Sequence, residues 1–189
     1  MRVAEFDREK VLCAAMNAFV DKGYNKTSMQ DLKQVTGLHP GSIYCAFGNK
    51  RGLLLAALEH YAQSSRQKFE SCFTSQQTIV EGFRCYFELL LHSCEHQTGC
   101  LMQKALSDMH QQDDDMESHI CRLLSDWQAL ITEKISLGQQ RGEISSQQNA
   151  RMLSHYLVMS IFGLRSYSHL SSDPEVLRGL VAQVLSSLQ

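Results

Sequence analysis

Hydrophobic residues recur at intervals of about three or four along most of this chain, and that spacing predicts amphipathic helices. The first predicted helix is capped by Asp7, runs to Lys22 and is ended by Gly23. The sequence has only two prolines and few alternating runs of β-branched residues. We therefore expect an all-α protein.

Residues 27–51 predict two short helices joined by one tight turn. Thr27 and Gln30 have the spacing of a capping box at the start of the first helix, and Gly37 is suited to its end. Pro40 fits the first position of the second helix, where its missing N–H is not needed. Such a pair is typical of a DNA-binding helix-turn-helix, although a plain helical hairpin has the same pattern.

Six further helices are predicted by the same spacing. Asn49 is placed to cap the first of them, and the carboxylates of residues 113–115 suit the positive end of a later one better than they suit a metal ion. Ser145 and Gln148 have the spacing of another capping box. The expected ranges are 50–73, 78–96, 100–110, 116–139, 150–169 and 174 onward.

The last two predicted helices have more hydrophobic surface than one neighbour covers. In the final helix Val176, Leu177, Leu180 and Val181 occupy more than one face. We expect two copies of the chain to pair through these helices as a four-helix bundle on a two-fold axis. Deep packing within one subunit is the alternative.

The formal net charge of the 189 residues is −2, which by itself does not favour a DNA-binding protein. The charge is unevenly distributed, however. Residues 1–51 contain eight Lys and Arg against five Asp and Glu, whereas residues 52–189 contain ten against fifteen. The positive excess therefore lies in the part that is predicted to contact DNA.

Several classes of chemistry lack their sequence signals. The seven cysteines include no CxxC pair, which indicates reduced thiols. His92, Cys94, His96 and Cys100 are the densest candidate metal ligands, but a helix would place Cys94 on a different face from the histidines. No Gly-rich phosphate loop, HExxH or GxSxG occurs, so we expect neither an enzyme nor a bound metal or cofactor. No hydrophobic run approaches the roughly 20 residues of a membrane span, so we expect a cytoplasmic protein without a membrane partner.

A set of motifs lies in register around the two short helices: Gly23-Tyr24, Thr27-Ser28-Met29, Thr36-Gly37-Leu38, Pro40-Gly41-Ser42-Ile43-Tyr44, Phe47 and Lys50. In these motifs, over roughly residues 6–60, the chain resembles the tetracycline-repressor-like (TetR/AcrR) family of bacterial transcription regulators. It departs from the family pattern at Pro40, where Lys is common, and at Cys45 and Ala46, where His or Tyr is common. These departures remove possible phosphate or base contacts.

The resemblance implies a three-helix DNA-binding domain over residues 1–50, a connector helix from about residue 50, and a helical bundle over residues 51–189 for effector binding and dimerisation. The implied function is a ligand- or stress-responsive repressor that binds a palindromic operator on double-stranded DNA as a homodimer. The alternative is a helical module that binds a ligand or a protein but no DNA.

The predicted DNA-binding residues lie at the start of the two short helices and along the outer side of the second. Those expected near base edges are His39, Ser42 and Cys45. Those expected at phosphates are Thr27, Ser28, Tyr44 and Lys50, with Pro40 and Gly41 between them. Further candidates for phosphate contacts are Lys22, Lys26, Lys33 and Arg51.

An unidentified small-molecule effector is expected to bind among the aromatic, Met and Cys side chains of the helical bundle, although such side chains are equally typical of a plain core. The predicted pocket residues are Phe83, Phe87, Cys100, Met102, Met109, Trp127, Tyr156 and Met159. The sequence Gly-Cys-Leu at 99–101 also resembles a branch of the family in which cysteines sense electrophiles or oxidants, so Cys100 is either a sensor or an inert thiol.

Overall fold

The structure is a computed structural model, and it describes residues 6–73, 78–95, 100–171 and 173–189. Within these ranges every regular element is an α helix, as the sequence pattern predicts. No helix in the described part is long and hydrophobic enough to cross a membrane. The helices are α1 (Arg8–Lys22), α2 (Met29–Thr36), α3 (Pro40–Phe47), α4 (Lys50–Ser71), α5 (Ile79–Glu95), α6 (Leu101–Met109), α7 (Asp114–Gln140), α8 (Ala150–Tyr167) and α9 (Pro174–Ser186).

Most helices begin at the residue that the sequence predicts. The carboxylate of Asp7 accepts a hydrogen bond from the Lys10 N–H at 3.1 Å, and that of Asp113 accepts one from the Met116 N–H at 3.0 Å. The Asn49 side chain likewise accepts from an N–H of the first turn of α4 at 2.8 Å. Each side-chain oxygen satisfies a backbone donor that the helix leaves without a partner.

The capping box of α2 lies one residue later than predicted. The Ser28 hydroxyl accepts from the Asp31 N–H at 3.1 Å, and the Asp31 carboxylate accepts from the Ser28 N–H at 2.8 Å. The predicted pair of Thr27 and Gln30 is wrong, because the Thr27 hydroxyl points inward and donates to the Gly23 carbonyl at 2.6 Å.

The predicted capping box of α8 is also wrong. Asn149 caps this helix, and its side chain accepts from the Met152 N–H at 3.0 Å. Ser145 and Gln148 instead belong to the preceding turn, where the Gln139 amide donates to both of their carbonyls, at 2.9 and 2.8 Å. These bonds hold the chain between α7 and α8.

The chain divides into two compact units, which differ from the predicted division at residue 50. Unit 1 comprises the described residues of 1–64 and 99–124, and unit 2 comprises those of 65–98 and 125–189. In unit 1 the buried core contains not only α1, α2 and α3 but also α6 and the first turns of α4 and α7. The helix-turn-helix therefore shares its hydrophobic core with a segment that lies far away in the sequence.

Unit 2 has its own core, which joins the end of α4 to α5, the later turns of α7, α8 and α9. Phe69 is central to it: its ring centroid lies 4.8 Å from that of Phe73 and 5.0 Å from that of Tyr86. Gly82 allows this packing, because a Cβ there would lie 2.3 Å from Cδ1 of Phe73 and 3.0 Å from the carbonyl oxygen of Cys72. The residues after α4 thus lie directly on the backbone of α5.

Candidate DNA-binding surface

Helix α3 turns one side into unit 1 and the other toward solvent. Ile43 is completely buried in the core, next to Leu32 of α2. On the opposite side His39 and Cys45 are exposed, and the Tyr44 side chain is 51% exposed. Ser42, between them, is half-buried. Helical spacing predicts this outward face from the sequence.

The turn between α2 and α3 depends on a left-handed residue. Gly37 has a φ of 70°, which side chains other than that of glycine rarely adopt, and its N–H donates to the Lys33 carbonyl at 3.0 Å. The Thr36 hydroxyl then accepts from the Leu38 N–H at 3.2 Å. Together these bonds stop α2 and direct the chain into Pro40, the first residue of α3.

The end of α3 is fixed by close contact with α4. A Cβ on Gly52 would lie 1.9 Å from the carbonyl oxygen of Phe47, so only glycine allows the first turn of α4 to approach the last residue of α3. The start of α3, in contrast, is open. His39 makes no side-chain capping bond, and Gly41 has nothing within 4 Å of its Cβ position. Uncapped N–H groups at a helix start are suited to binding an anion such as phosphate.

The ammonium of Lys50 is bound inside this unit. Its ammonium donates to the carbonyls of Tyr24 and Thr27, both at 2.9 Å, and lies 4.3 Å from the centroid of the Tyr24 ring. Burial lowers the pKa of Lys50. The ammonium therefore holds the connection between α1 and α2, and its contact with phosphate stays a prediction.

The prediction that the Thr27 side chain contacts phosphate is wrong. Thr27 is completely buried, and its hydroxyl is used by the Gly23 carbonyl. Ser28, the next residue, is exposed, and it keeps its place as a candidate at the start of α2. Pro40 is half-buried and Gly41 exposed, both at the open start of α3.

Arg51, another predicted phosphate ligand, is bound to Asp113 in the same unit. Its Nε lies 2.5 Å from Oδ2 of Asp113, and its Nη2 lies 2.9 Å from Oδ1. This guanidinium holds the pKa of Asp113 down to about 2, with the Met116 N–H as a second cause. Local sequence gives no sign of this pair, because its members are 62 positions apart.

Helix α6 binds the connection between α1 and α2. The Asp108 carboxylate accepts from the Tyr24 N–H at 2.6 Å, and a Cβ on Gly23 would lie 2.8 Å from Oδ2 of that carboxylate. Beyond α6, the Gln112 side chain accepts from the Asn25 amide at 3.1 Å. Local sequence gives no sign of these contacts, which hold the connection between α1 and α2.

The remaining basic residues near α2 differ in their partners. Lys22 lies 2.6 Å from Oδ1 of Asp31, and this contact, followed by the bonds from Ser28, lowers the pKa of Asp31. Lys26 and Lys33 make no side-chain hydrogen bond or ion pair with any described residue. Their ammonium groups are therefore available to an external anion.

The structure separates the predicted effector residues. Phe83 and Phe87 are buried in the core of unit 2, where Trp127 packs at its edge, whereas Met102 and Met109 are buried in unit 1, where Cys100 is half-buried. These two sets do not belong to one core. Tyr156 and Met159 are exposed on α8, Met159 to 63%, so neither belongs to a buried core, and their place in a pocket stays a prediction.

The candidate metal ligands diverge. Cys94 is buried and His92 is exposed, as expected from their different helix faces, and His96 lies outside the described residues. Among the described residues no group of three or more His, Cys, Asp or Glu side chains is arranged to hold a metal ion.

Two short helices, a glycine turn and an exposed second helix, in a segment (residues 1–51) with eight Lys and Arg against five Asp and Glu, define a helix-turn-helix DNA-binding protein. This chain is a DNA-binding transcription regulator, and it belongs to the TetR family. The family model for bacterial regulatory proteins of the tetR family matches residues 11–57, and that for the tetracyclin repressor-like C-terminal domain matches residues 80–184.

Individual relatives agree with this assignment. The HTH-type transcriptional repressor ComR of Escherichia coli is 26% identical over 84% of this chain and 78% of its own length. The regulatory protein TetR from Rhodobacter sphaeroides has a TM-score of 0.87 at 19% identity, covering 96% of this chain and 98% of that one. A cysteine mutant of the regulator CifR, in complex with 26-bp operator DNA, has a TM-score of 0.74 at 24% identity and full coverage of both chains. The two structural likenesses show a shared fold.

Proposed function

We propose that this chain is a transcriptional repressor that binds a palindromic operator as a homodimer and releases it when a small molecule binds unit 2. Its relatives support both parts. ComR is named a transcriptional repressor, and a relative from Streptomyces griseus, 24% identical over 92% of this chain, is named the A-factor receptor protein. The structural observation that supports DNA binding through α3 is that its outer face is exposed while its inner side, at Ile43, is buried in the core.

In this mode α3 enters the major groove. His39, Ser42 and Cys45 are placed to face base edges, and Tyr44 is placed to reach the backbone. The open start of α3 accepts a phosphate through the backbone N–H of Gly41, since Pro40 has none and the N–H groups of Ser42 and Ile43 donate to the His39 carbonyl.

Three further groups around α2 serve phosphate binding. Ser28 is exposed at the start of this helix, and Lys26 and Lys33 supply cations that have no side-chain partner among the described residues. Lys50 is the further predicted contact, and its ammonium also donates to two carbonyls within the unit.

A hydrophobic stripe on α8 and α9 supports the homodimer. The residues recur at intervals of three or four along α8 and just beyond it, with Gly163 among them, and continue on α9, which packs against α8. A monomer rarely exposes so continuous a hydrophobic surface, and a second copy would cover it. The exposed members are Met152, Tyr156, Met159, Tyr167, Leu170, Val176 and Leu180.

The effector is proposed to bind in unit 2 near Trp127. The indole Nε1 of Trp127 is buried without a hydrogen-bond partner among the described residues, and its ring lies 6.0 Å from that of Phe162. An unpaired buried donor costs about 1–3 kcal/mol, which a ligand with a hydrogen-bond acceptor would recover. Phe83 and Phe87 lie in the same core. Release requires that the effector prefer the conformation that does not bind DNA.

The proposal is tested by selecting genomic DNA fragments with the purified protein and titrating one selected fragment against salt in a gel-shift assay. We expect a steep loss of affinity with salt, because phosphate contacts release counterions. His39→Ala should alter the ranking of operator variants, whereas Lys33→Ala should weaken all of them similarly. If no fragment is bound in a salt-dependent way, the alternative of a helical ligand- or protein-binding module replaces this one.

A further inference from the structure

Two cysteine thiols meet in unit 2 at the junction of α4 and α5. The Cys85 thiol donates to the Cys72 sulfur, with 2.9 Å between the two Sγ atoms. A disulfide bond needs a separation of about 2.0 Å, so a small side-chain movement of about 0.9 Å brings the atoms to bonding distance. The contact at Gly82 already holds the backbone of Cys72 against α5, one turn of helix away from Cys85. The pair is therefore positioned by the fold.

The two thiols differ in their surroundings. Cys72 is 1% exposed, whereas Cys85 is half-buried and reachable from solvent. Burial, followed by the contact with Cys85, raises the pKa of Cys72 to about 12. Deprotonation of Cys72 is therefore disfavoured, and the half-buried Cys85, whose S–H points at the Cys72 sulfur, is the thiol that a peroxide from solvent meets first.

We propose that Cys72 and Cys85 are a redox-active dithiol, which a hydroperoxide converts reversibly into an intramolecular disulfide. The Cys85 thiolate attacks the peroxide, the O–O bond breaks, and the products are a Cys85 sulfenic acid and, after protonation, an alcohol or water. The Cys72 sulfur then attacks the sulfenic sulfur. The disulfide forms, and the thiol proton and the sulfenic hydroxyl leave as water. The two sulfur atoms together lose two electrons, and the peroxide accepts them.

The disulfide would join the carboxyl end of α4 to the middle of α5. Helix α4 is continuous from Lys50 to Ser71, so the same helix that contacts α3 through Gly52 ends next to this pair. The proposal itself concerns only the chemistry of the pair. It does not depend on operator binding, and it is tested without DNA.

The test treats the reduced full-length protein with hydrogen peroxide, denatures it in acid, blocks remaining thiols with iodoacetamide, and identifies the peptides by mass spectrometry. We expect a peptide that links Cys72 to Cys85, which dithiothreitol removes. Cys121→Ser, a change at an exposed cysteine outside unit 2, should leave the link intact. Cys72→Ser should accumulate a sulfenic acid at Cys85 that dimedone traps, whereas Cys85→Ser should give neither the link nor an adduct at Cys72.

The proposal is overturned if Cys72 and Cys85 both remain alkylated in a sample whose exposed Cys45 or Cys121 has been oxidised, because that oxidation proves that the peroxide was active. It is also overturned if the main disulfide joins other cysteines, or if the dimedone adduct of Cys72→Ser forms elsewhere. Circular dichroism of each variant before treatment establishes that the serine replacements are folded.

Discussion

The guanidinium of Arg51 and the carboxylate of Asp113 form a two-pronged ion pair inside unit 1, with contacts of 2.5 and 2.9 Å. The same carboxylate caps α7 by accepting from the Met116 N–H. One side chain thus joins the start of α4 to the start of α7, and both starts lie close to the connection that leads into α2.

Arg51→Ala should destabilise the protein by about 1 kcal/mol, because a partly exposed pair with two parallel hydrogen bonds is stronger than an ordinary surface ion pair. Urea unfolding measures this change. Arg66→Ala is the matched control: Arg66 makes a single contact with Glu70, four residues along the same helix, and both side chains are more exposed. A loss for Arg66→Ala as large as that for Arg51→Ala would contradict the role given to the Asp113 pair.

The contribution of Asp113 should depend on pH in a defined direction. The pKa of this carboxyl is lowered from 3.8 to about 2, so its stabilisation is complete above about pH 4 and is lost as the pH falls toward 2. The difference in unfolding free energy between the wild type and Asp113→Asn should shrink over that interval. A difference that stays constant from pH 6 to pH 2 would show that the charge of Asp113 is not responsible.

Lys26→Ala and Lys33→Ala should each reduce the salt dependence of operator binding by about one counterion, because each ammonium is free to neutralise a phosphate. Gel shifts at several salt concentrations give the slope. Lys68→Ala, which removes an exposed lysine of α4 outside unit 1, should leave it unchanged. If the salt dependence of binding is the same for all three variants, neither Lys26 nor Lys33 contacts a phosphate.

Gly52→Ala should cost about 1–3 kcal/mol of stability, since the added methyl group overlaps the backbone carbonyl of Phe47 and cannot be relieved by moving a side chain. Thermal unfolding provides the measurement. Gly41→Ala in α3 is the control, because its surroundings are open and alanine favours a helix over glycine. Two variants of equal stability would mean that α3 and α4 do not meet as described.

Met159→Glu on α8 and Leu180→Glu on α9 should convert the proposed dimer into a monomer, because each places a charge in the hydrophobic stripe. Light scattering after size-exclusion chromatography reports the mass. Leu89→Glu on α5 is the control, because Leu89 is exposed to 44%, close to the 41% of Leu180, but lies outside the stripe. If both stripe variants kept the mass of the wild type, pairing through these helices would be excluded.

Local sequence predicted the helices and the outward face of α3 well, because caps and hydrophobic spacing act over a few residues. Asp7 and Asn49 cap the helices that the sequence predicts them to cap. At α2 two adjacent hydroxyl residues were available, and the choice depended on burial: the Thr27 hydroxyl is taken by a carbonyl in the core, which leaves Ser28 as the cap.

Contacts between residues that are far apart in the sequence could not be predicted from local patterns. Lys50 and Arg51 at a helix start indicate phosphate binding when only their neighbours are considered, but their partners Tyr24 and Asp113 are 26 and 62 positions away. The exposure of Met159 could not be predicted for a different reason. Hydrophobic spacing does not distinguish a side chain that faces the core of its own chain from one that is exposed on the surface.

The shared core of unit 1 has a consequence for protein engineering. A chimaera that exchanged operator specificity between relatives by swapping residues 1–50 alone would leave behind the carboxylates of Asp108 and Asp113, together with the buried side chains of α6. The transplanted residues 1–50 would then pack against α6 and α7 residues of a different protein. A graft that carries residues 1–64 together with 99–124 keeps the described core of unit 1 in one piece.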